Sequence, residues 1–410
     1  MRVSVVVCTL DRGESLADTL ASLEQLQGVE VEVVVVAGPS EDATDDVLNN
    51  FQGRIKVVRN PEANLSVSRN LGIAAAAGEL VAFIDDDAVA DPWWLADLVD
   101  DFSDPELAMS GGPTRGPDGL GFQAVTSFAD RFGSAIAETV PSVGAGPYLC
   151  RPFSPRLAYP IGTNLIARRS ALVAVGGFDE ALAFYLDEVD LAFRIADRGG
   201  LVTVGRRGEV THRFLPSTSR NTAKVVTNRY HVLRSRRYFG QRTATALWSA
   251  DELEADRQRF LADQRAELDQ LLVEGLIDVG VRQRFEEDVV AATRDADEQL
   301  RAARLLREPS WFANHGNFLS FTGPNEWPLE VVVTDAPSEV SARPGVLTEV
   351  ITVDGSGRRR TFERGCFVSY LEGERFLHEV ATRLAELKEQ RGATLSHAPE
   401  AVAAFLASAS

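Results

Sequence analysis

Cysteine is scarce in this 410-residue chain: Cys8, Cys150 and Cys366 stand far apart with no CxxC pair. That excludes a disulfide framework and a cysteine-ligated zinc site, and it suits a reducing compartment. Long apolar runs are also missing; the longest fall well short of the roughly 20 residues a membrane helix needs. No basic n-region, apolar h-region or small-residue cleavage site precedes the strand-like Val3-Ser4-Val5-Val6-Val7, so a cytoplasmic protein is expected. Positive charge is in deficit, with 42 Lys and Arg against 60 Asp and Glu and a net charge of -18. Nucleic acid, which attracts clustered basic residues, is thereby excluded as a partner, and acidic metal ligands fit better. What remains is 45% apolar and 25% charged residues with 32 Gly and 18 Pro, the composition of a globular enzyme. The length exceeds one ordinary core, so a large domain with a second domain or long extension is expected.

The first half alternates β-branched runs with helical periodicity, the pattern of an α/β domain with a largely parallel sheet. Strands are predicted at Val3 to Val7, Val31 to Val36, Ile55 to Val58 and Leu80 to Ile84. Between them lie a helix carrying Leu16, Leu20 and Leu23, one over Asp45 to Phe51, and an Ala-rich helix over Ser66 to Ala77. In such a sheet a ligand sits beyond the carboxyl ends of the strands, where Thr9 to Arg12, Gly38 to Asp42 and Asp85 to Asp87 should converge. Residues 111 to 162 are punctuated by Gly and Pro and read as loops and short strands around a cleft. Further helices are predicted at Arg169 to Val175 and Val189 to Arg198, with strands at Leu201 to Val204 and Glu209 to Thr211. The composition changes after about Gly240. Charge-laced helices over Asp251 to Leu272 and Val281 to Leu306 suggest a helical hairpin. Two strands at Leu329 to Thr334 and Val346 to Val353, an Asp354-Gly355 turn and a helix carrying Phe376, Val380, Leu384 and Leu387 follow.

The strongest chemical feature is Phe83-Ile84-Asp85-Asp86-Asp87, an apolar strand emptying into three acids. Three neighbouring carboxylates repel, and a divalent cation such as Mg²⁺, completed by substrate phosphates, relieves that repulsion. An acidic turn capping the next helix at Asp91-Pro92 is the competing explanation. The second feature is Phe184-Tyr185-Leu186-Asp187-Glu188-Val189-Asp190. Acids opening a helix are favoured by its dipole, which explains Asp187 and Asp190. Glu188 lies among aromatic and apolar residues, where desolvation raises its proton affinity and suits it to take a proton from a hydroxyl. His212 alone reads as a packed or solvated histidine; beside acids it becomes a metal ligand. Arg12 and Arg69 are placed to hold a diphosphate or base, or to make surface ion pairs. Gly162-Thr163-Asn164 is either a loop a ligand approaches or an ordinary turn. Trp93 and Trp94 divide between core anchoring and sugar stacking, with core expected for at least one.

Read in order, Val7-Cys8-Thr9-Leu10-Asp11-Arg12, Gly38 to Thr44, Ser68-Arg69-Asn70-Leu71-Gly72, Ile84-Asp85-Asp86-Asp87, Gly162-Thr163-Asn164, Gly176-Gly177-Phe178-Asp179-Glu180 and Asp187 to Leu191 resemble the family 2 glycosyltransferases of the GT-A fold, over about residues 1 to 240. Each piece is weak singly; their order and spacing are specific. The resemblance implies a Rossmann-like, mixed and mostly parallel sheet, followed here by a mainly helical C-terminal extension with a few strands. It implies transfer, with inversion, from a UDP-, dTDP- or GDP-linked sugar to the hydroxyl of a carbohydrate acceptor. It places Asp87 and His212 on a divalent cation, Mn²⁺ or Mg²⁺, and makes Glu188 the base, with Asp187 in reserve and Asp190 beside them. The donor would meet Thr9, Arg12, Ser40, Asp42, Arg69, Asp85 and Asp86, and the acceptor sugar the Gly162, Thr163 and Asn164 loop. One departure is Ala37-Gly38-Pro39-Ser40, which lacks the acid that commonly contacts the base, so backbone groups or Asp42 must substitute.

The alternatives are a nucleotidyltransferase, which lacks its Gly-rich, basic phosphate loop at Leu10 to Glu14, and a non-catalytic carbohydrate-binding scaffold. A catalytic domain over residues 1–245 and an extension over 246–410 are expected. The extension resembles nothing nameable, and its amphipathic helices suit a homo-oligomer interface or an acceptor platform.

Overall fold

A computed structural model describes residues 1–136, 152–205, 207–217, 220–313, 315–353 and 357–409. Cys150 and the predicted Asp354-Gly355 turn lie outside the described residues. The chain opens with β1 (Val3–Thr9), α1 (Gly13–Leu23), β2 (Val31–Ala37), α2 (Thr44–Asn50), β3 (Lys56–Arg59), α3 (Leu65–Ala75), β4 (Leu80–Asp85), β5 (Ala88–Ala90) and α4 (Trp94–Val99). It continues through β6 (Leu107–Ser110), β7 (Thr114–Arg115), β8 (Phe122–Ala124), β9 (Ser127–Asp130), β10 (Arg156–Tyr159), β11 (Leu165–Arg168), α5 (Arg169–Ala174), α6 (Asp187–Asp197), β12 (Leu201–Val202), β13 (Val210–His212) and α7 (Tyr230–Thr243).

The central sheet has the order β12-β6-β11-β4-β1-β2-β3. Only β11 runs against its neighbours β4 and β6, so the sheet is mixed and mostly parallel, as the alternating pattern predicts. Both of its faces are covered, which is why the strand sequences are continuously apolar. Val3, Val5 and Val7 pack with Leu16 and Leu20 of α1 and Trp94 of α4. Val6, Val81 and Phe83 face Phe178, Leu191 and Phe239 on the other side. Helix α3 lies close against β1 because residue 72 is glycine: a Cβ there would run into the Val6 side chain. Three-residue β5 turns out of the sheet to pair with β13 in a second sheet of order β5-β13-β7-β8.

Two further layers follow. Helices α8 (Ala250–Val273) and α9 (Val279–Arg301) form the expected hairpin, and its second helix ends at Arg301 rather than Leu306. Leu261, Leu268, Val281 and Phe285 bury the hairpin's seam together with Leu233 of α7. Next, β14 (Leu329–Val333), β15 (Leu347–Thr352), β16 (Arg359–Glu363), β17 (Cys366–Tyr370), α10 (Phe376–Arg391), β18 (Thr394–His397) and α11 (Glu400–Ala409) build a five-stranded sheet of order β16-β17-β15-β14-β18 with α10 packed on it. Strands β14 and β15 are the two read from the sequence; β16, β17 and β18 add to them. The C-terminal sheet meets the first unit through Arg391 Nη2 to Asp97 at 3.0 Å, with Arg391 stacked on Trp93, and through Gln25 Nε2 to the Gly365 carbonyl at 2.5 Å. No helix among the described residues is long and apolar enough to cross a membrane.

Candidate active site

The turn between β4 and β5 carries the three acids, and strand pairing brings the histidine to them. In the β5–β13 register His212 stands opposite Ala88, next to Asp87. One ligand atom each from Asp85, Asp87 and His212 lies within 4.8 Å of the others. His212 Nε2 is 3.1 Å from Asp87 Oδ1 and 3.8 Å from Asp85 Oδ2. Its Nδ1 faces Gln123 Oε1 at 3.0 Å. An amide oxygen only accepts, so Nδ1 carries the proton and, in the neutral ring, Nε2 points a lone pair at two carboxylates. Three donors of that kind call for a proton or a cation between them, and an O, O, N set suits Mn²⁺ or Mg²⁺.

The acids differ in environment. Burial works against ionisation of Asp87, but a proton on His212 Nε2, the Arg12 guanidinium and the Leu215 N–H hold its carboxyl well below the usual carboxylate range. Burial dominates at Asp86, and the negative Asp87 adds to it. Despite Arg12 Nη1 at 3.1 Å, the Asp86 carboxyl is pushed up to about 7. Its carbonyl accepts from the Ser15 and Thr19 hydroxyls, so Asp86 joins the turn to α1. Only Asp85 is substantially open, with 34% of its side chain exposed.

Beside this corner Arg69 of α3 is buried and reaches in two directions, to Asp187 and, at 3.8 Å, to Asp85. It fits because residue 162 is glycine; a Cβ would come within 2.5 Å of its Nη2. Asp187 and Glu188 open α6 after Tyr185 and Leu186, both at positive φ (72° and 67°). Side chains of that size rarely adopt such a backbone, and strain of this kind gathers at working sites. Glu188 is half-buried, and burial followed by the neighbouring Asp187 pushes its carboxyl up to about 8, with Arg69 pulling the other way.

The remaining candidates hold loops together. Asp190 is buried against Arg194 at 2.6 Å and Arg304 at 3.2 Å. Asp42 accepts from the Gly13 and Thr44 N–H groups, and Ser40 Oγ accepts from the Asp11 N–H, lacing the loop after β2 to the one after β1. Thr9 ends β1 and is buried. Arg12 Nη2 also donates to the Leu215 and Pro216 carbonyls, so this arginine ties the acidic turn to the loop after β13. Thr163 Oγ1 lies 3.4 Å from the Asp85 N–H. Asn164 is fully buried: it accepts from Trp94 Nε1 and donates to the Pro113 and Gly208 carbonyls. Trp94 is therefore core, and Trp93 packs against the C-terminal sheet. Asn70 grips the Phe178 backbone at both N–H and C=O, which explains why the 68–72 and 176–180 segments occur together.

Three groups at this edge carry no sequence signal. Gln123 and the Leu215 N–H contact His212 and Asp87. Arg220 lies over Phe214, which itself stacks on His212, and stands within the field of Asp87 and Asp85.

The glycosyl transferase family 2 model matches residues 4–172. A glucosyl-dolichyl phosphate glucuronosyltransferase of Haloferax volcanii is 30% identical over 226 residues, 52% of this chain and 70% of that protein. An N-acetylglucosaminyl-diphospho-decaprenol L-rhamnosyltransferase of Mycobacterium tuberculosis is 28% identical over 253 residues, 53% of this chain and 78% of that one. Among solved structures, the mannosyltransferase PcManGT of Pyrobaculum calidifontis, in complex with GDP-Man and Mn²⁺, aligns with a TM-score of 0.45 at 15% identity, covering 77% of this chain and 85% of that chain. S. aureus TarS 1-349 in complex with UDP-GlcNAc aligns at 0.42 and 17%, covering 73% and 92%. The family match over all of the central sheet but β12, with a 30% identical relative aligned along 70% of its own length, establishes that the chain belongs to glycosyl transferase family 2 and is a glycosyltransferase.

Proposed function

We propose that the protein transfers a sugar, with inversion, from a UDP-, dTDP- or GDP-linked donor to a hydroxyl of a carbohydrate acceptor, and that the transfer depends on a divalent cation. The observation that carries this reading is the placement of Arg69, which reaches Asp85 on one side and Asp187, beside Glu188, on the other. A cation site and a basic carboxylate thereby share one edge of the sheet. Asp85, Asp87 and His212 would hold the cation, which supplies positive charge to the diphosphate when bound.

Glu188 receives the acceptor hydroxyl proton as the new C–O bond forms, while the bond from the anomeric carbon to the diphosphate oxygen breaks and leaves its electron pair on that oxygen. Asp187 is less suited to the task, since Arg69 already occupies its carboxylate. Asp190 shares the helix only, its charge being taken by Arg194 and Arg304. Arg69 orients Asp187 and stands next to the open Asp85, where a diphosphate oxygen would find it. The donor surface is completed by Thr9, Arg12 and Asp86, with Ser40 and Asp42 shaping the base side, and by Gly162 to Asn164 on the sugar side.

Two relatives are named for glucosyl-dolichyl phosphate and N-acetylglucosaminyl-diphospho-decaprenol, so a glycan carried on a polyprenyl phosphate is the first acceptor to test. We also propose a catalytic unit of residues 1–245 and an extension of residues 246–410 that serves assembly or acceptor binding. The test is thermal stabilisation by UDP-, dTDP- and GDP-sugars with and without Mn²⁺. Asp87→Ala should abolish the Mn²⁺-dependent part, and Glu188→Gln should keep it while stopping turnover. Full turnover by Glu188→Gln would remove Glu188 from the role of base.

A further inference from the structure

The C-terminal sheet touches the catalytic unit at a point two contacts from His212. Strands β7 and β8 form a hairpin at the outer end of the small sheet, and among the described residues β8 has only β7 as neighbour. Gln123, in the middle of β8, is exposed, so burial does not fix its side chain; the hairpin backbone must. The turn is tight. Gly116 N–H donates to the Gly121 carbonyl at 2.7 Å, and Asp118 Oδ1 accepts from the Leu120 and Gly121 N–H groups. From outside, the Arg360 N–H of β16 donates to the Asp118 carbonyl at 2.5 Å. Gly119 has φ +68°, and a Cβ there would be driven into the Arg360 carbonyl. Arg360 is itself anchored: Nη2 meets Glu349 at 2.9 Å, Nη1 meets Asp91 at 3.7 Å, and the guanidinium lies over Phe367.

We infer that Gln123 is a positioning residue for His212, and that the C-terminal sheet, through the Arg360 grip on the Asp118-Gly119 turn, holds the hairpin that presents it. The inference rests on the reading of Asp87 and His212 as cation ligands. The amide oxygen keeps the ring proton on Nδ1 and the Nε2 lone pair turned to Asp85 and Asp87. A partner of this kind raises ligand basicity and fixes ring orientation, and its loss typically costs ten- to a hundredfold in metal affinity. The extension thus acts on the catalytic corner through one strand turn.

The test is Mn²⁺ titration of the full chain without nucleotide, followed by the free-Mn²⁺ electron paramagnetic resonance signal. Gln123→Leu, an exposed substitution, should weaken Mn²⁺ about tenfold or more at unchanged thermal stability. Gln123→Glu, which keeps an acceptor oxygen, should restore wild-type affinity or better. Gly119→Ala, which pushes the turn off Arg360, should weaken Mn²⁺ in the same direction, and the Gly119→Ala/Gln123→Leu double variant should lose less than the sum of the two. Affinity within twofold of wild type in Gln123→Leu, or full additivity in the double variant, overturns the inference. A wild-type chain that binds no Mn²⁺ overturns instead the cation reading beneath it.

Discussion

If Glu188 is the base, its elevated carboxyl sets the pH dependence of the reaction. Burial and Asp187 push this group up to about 8. With that midpoint, about a tenth of the free enzyme carries the ionised base at pH 7, half at pH 8 and about nine tenths at pH 9. Only the ionised form accepts the acceptor's proton, so kcat/KM should climb roughly tenfold between pH 7 and pH 9, approaching a slope of one on a logarithmic plot below pH 7. The same shift has a stability counterpart of definite sign. The folded-state value lies above the unfolded one, so this group's contribution is fully present below about 4.5 and is lost as pH rises through about 8. Unfolding temperatures should therefore decline across that window in the wild type and decline less in Glu188→Gln. The assay is initial-rate release of nucleoside diphosphate at subsaturating donor and acceptor from pH 6 to pH 9.5, beside a thermal melt at each pH. A kcat/KM that is flat from pH 6.5 to pH 8.5, or a midpoint below 6, would refute the reasoning.

Arg69→Met should leave Asp187 buried without its cation, destabilising the fold by about 3–5 kcal/mol, measurable by urea unfolding, because a buried charge stripped of its partner is strongly unfavourable. In the folded fraction it should also move the kcat/KM midpoint upward, since Arg69 pulls Glu188 down. Gly72→Ala should cost about 1–3 kcal/mol by overpacking against Val6, while nucleotide affinity of the folded protein stays near wild type by calorimetry. Asn164→Ala should orphan the Trp94 indole N–H and two carbonyl contacts, at about 1–3 kcal/mol of stability for an unsatisfied buried group, and a melt at wild-type temperature would contradict that.

The parts of the fold legible in the sequence are those where one physical signal dominates. Continuous Val runs with both faces buried gave β1 and β2, and Leu16, Leu20 and Leu23 marked α1. The acids at the end of β4 were legible because a parallel sheet points such residues at one edge. Strand β16 carries little apolar signal, since its five residues, Arg359-Arg360-Thr361-Phe362-Glu363, hold a single large hydrophobic side chain. In the structure Arg360 pairs with Glu349, where burial works against ionisation but Arg360 and Arg383 outweigh it and draw the carboxyl down to about 2. Loop composition does not show that Asn164 accepts from Trp94, 70 residues away, or that Asp42 accepts from the Gly13 N–H, 29 residues away, because both contacts exist only once the sheet and its helices are assembled. Gln123 was invisible because its contact with His212 spans 89 residues and depends on the β5–β13–β7–β8 pairing.

The most direct measurement is anomalous diffraction at the manganese edge from crystals of the full chain soaked in Mn²⁺ and, separately, UDP, dTDP or GDP. A peak lying between the Asp85 and Asp87 carboxylates and His212 Nε2, with a diphosphate beside it and Glu188 across the sugar site, is the expected result. A nucleoside diphosphate bound at this edge with no manganese among those three side chains, or manganese bound elsewhere, would contradict the account.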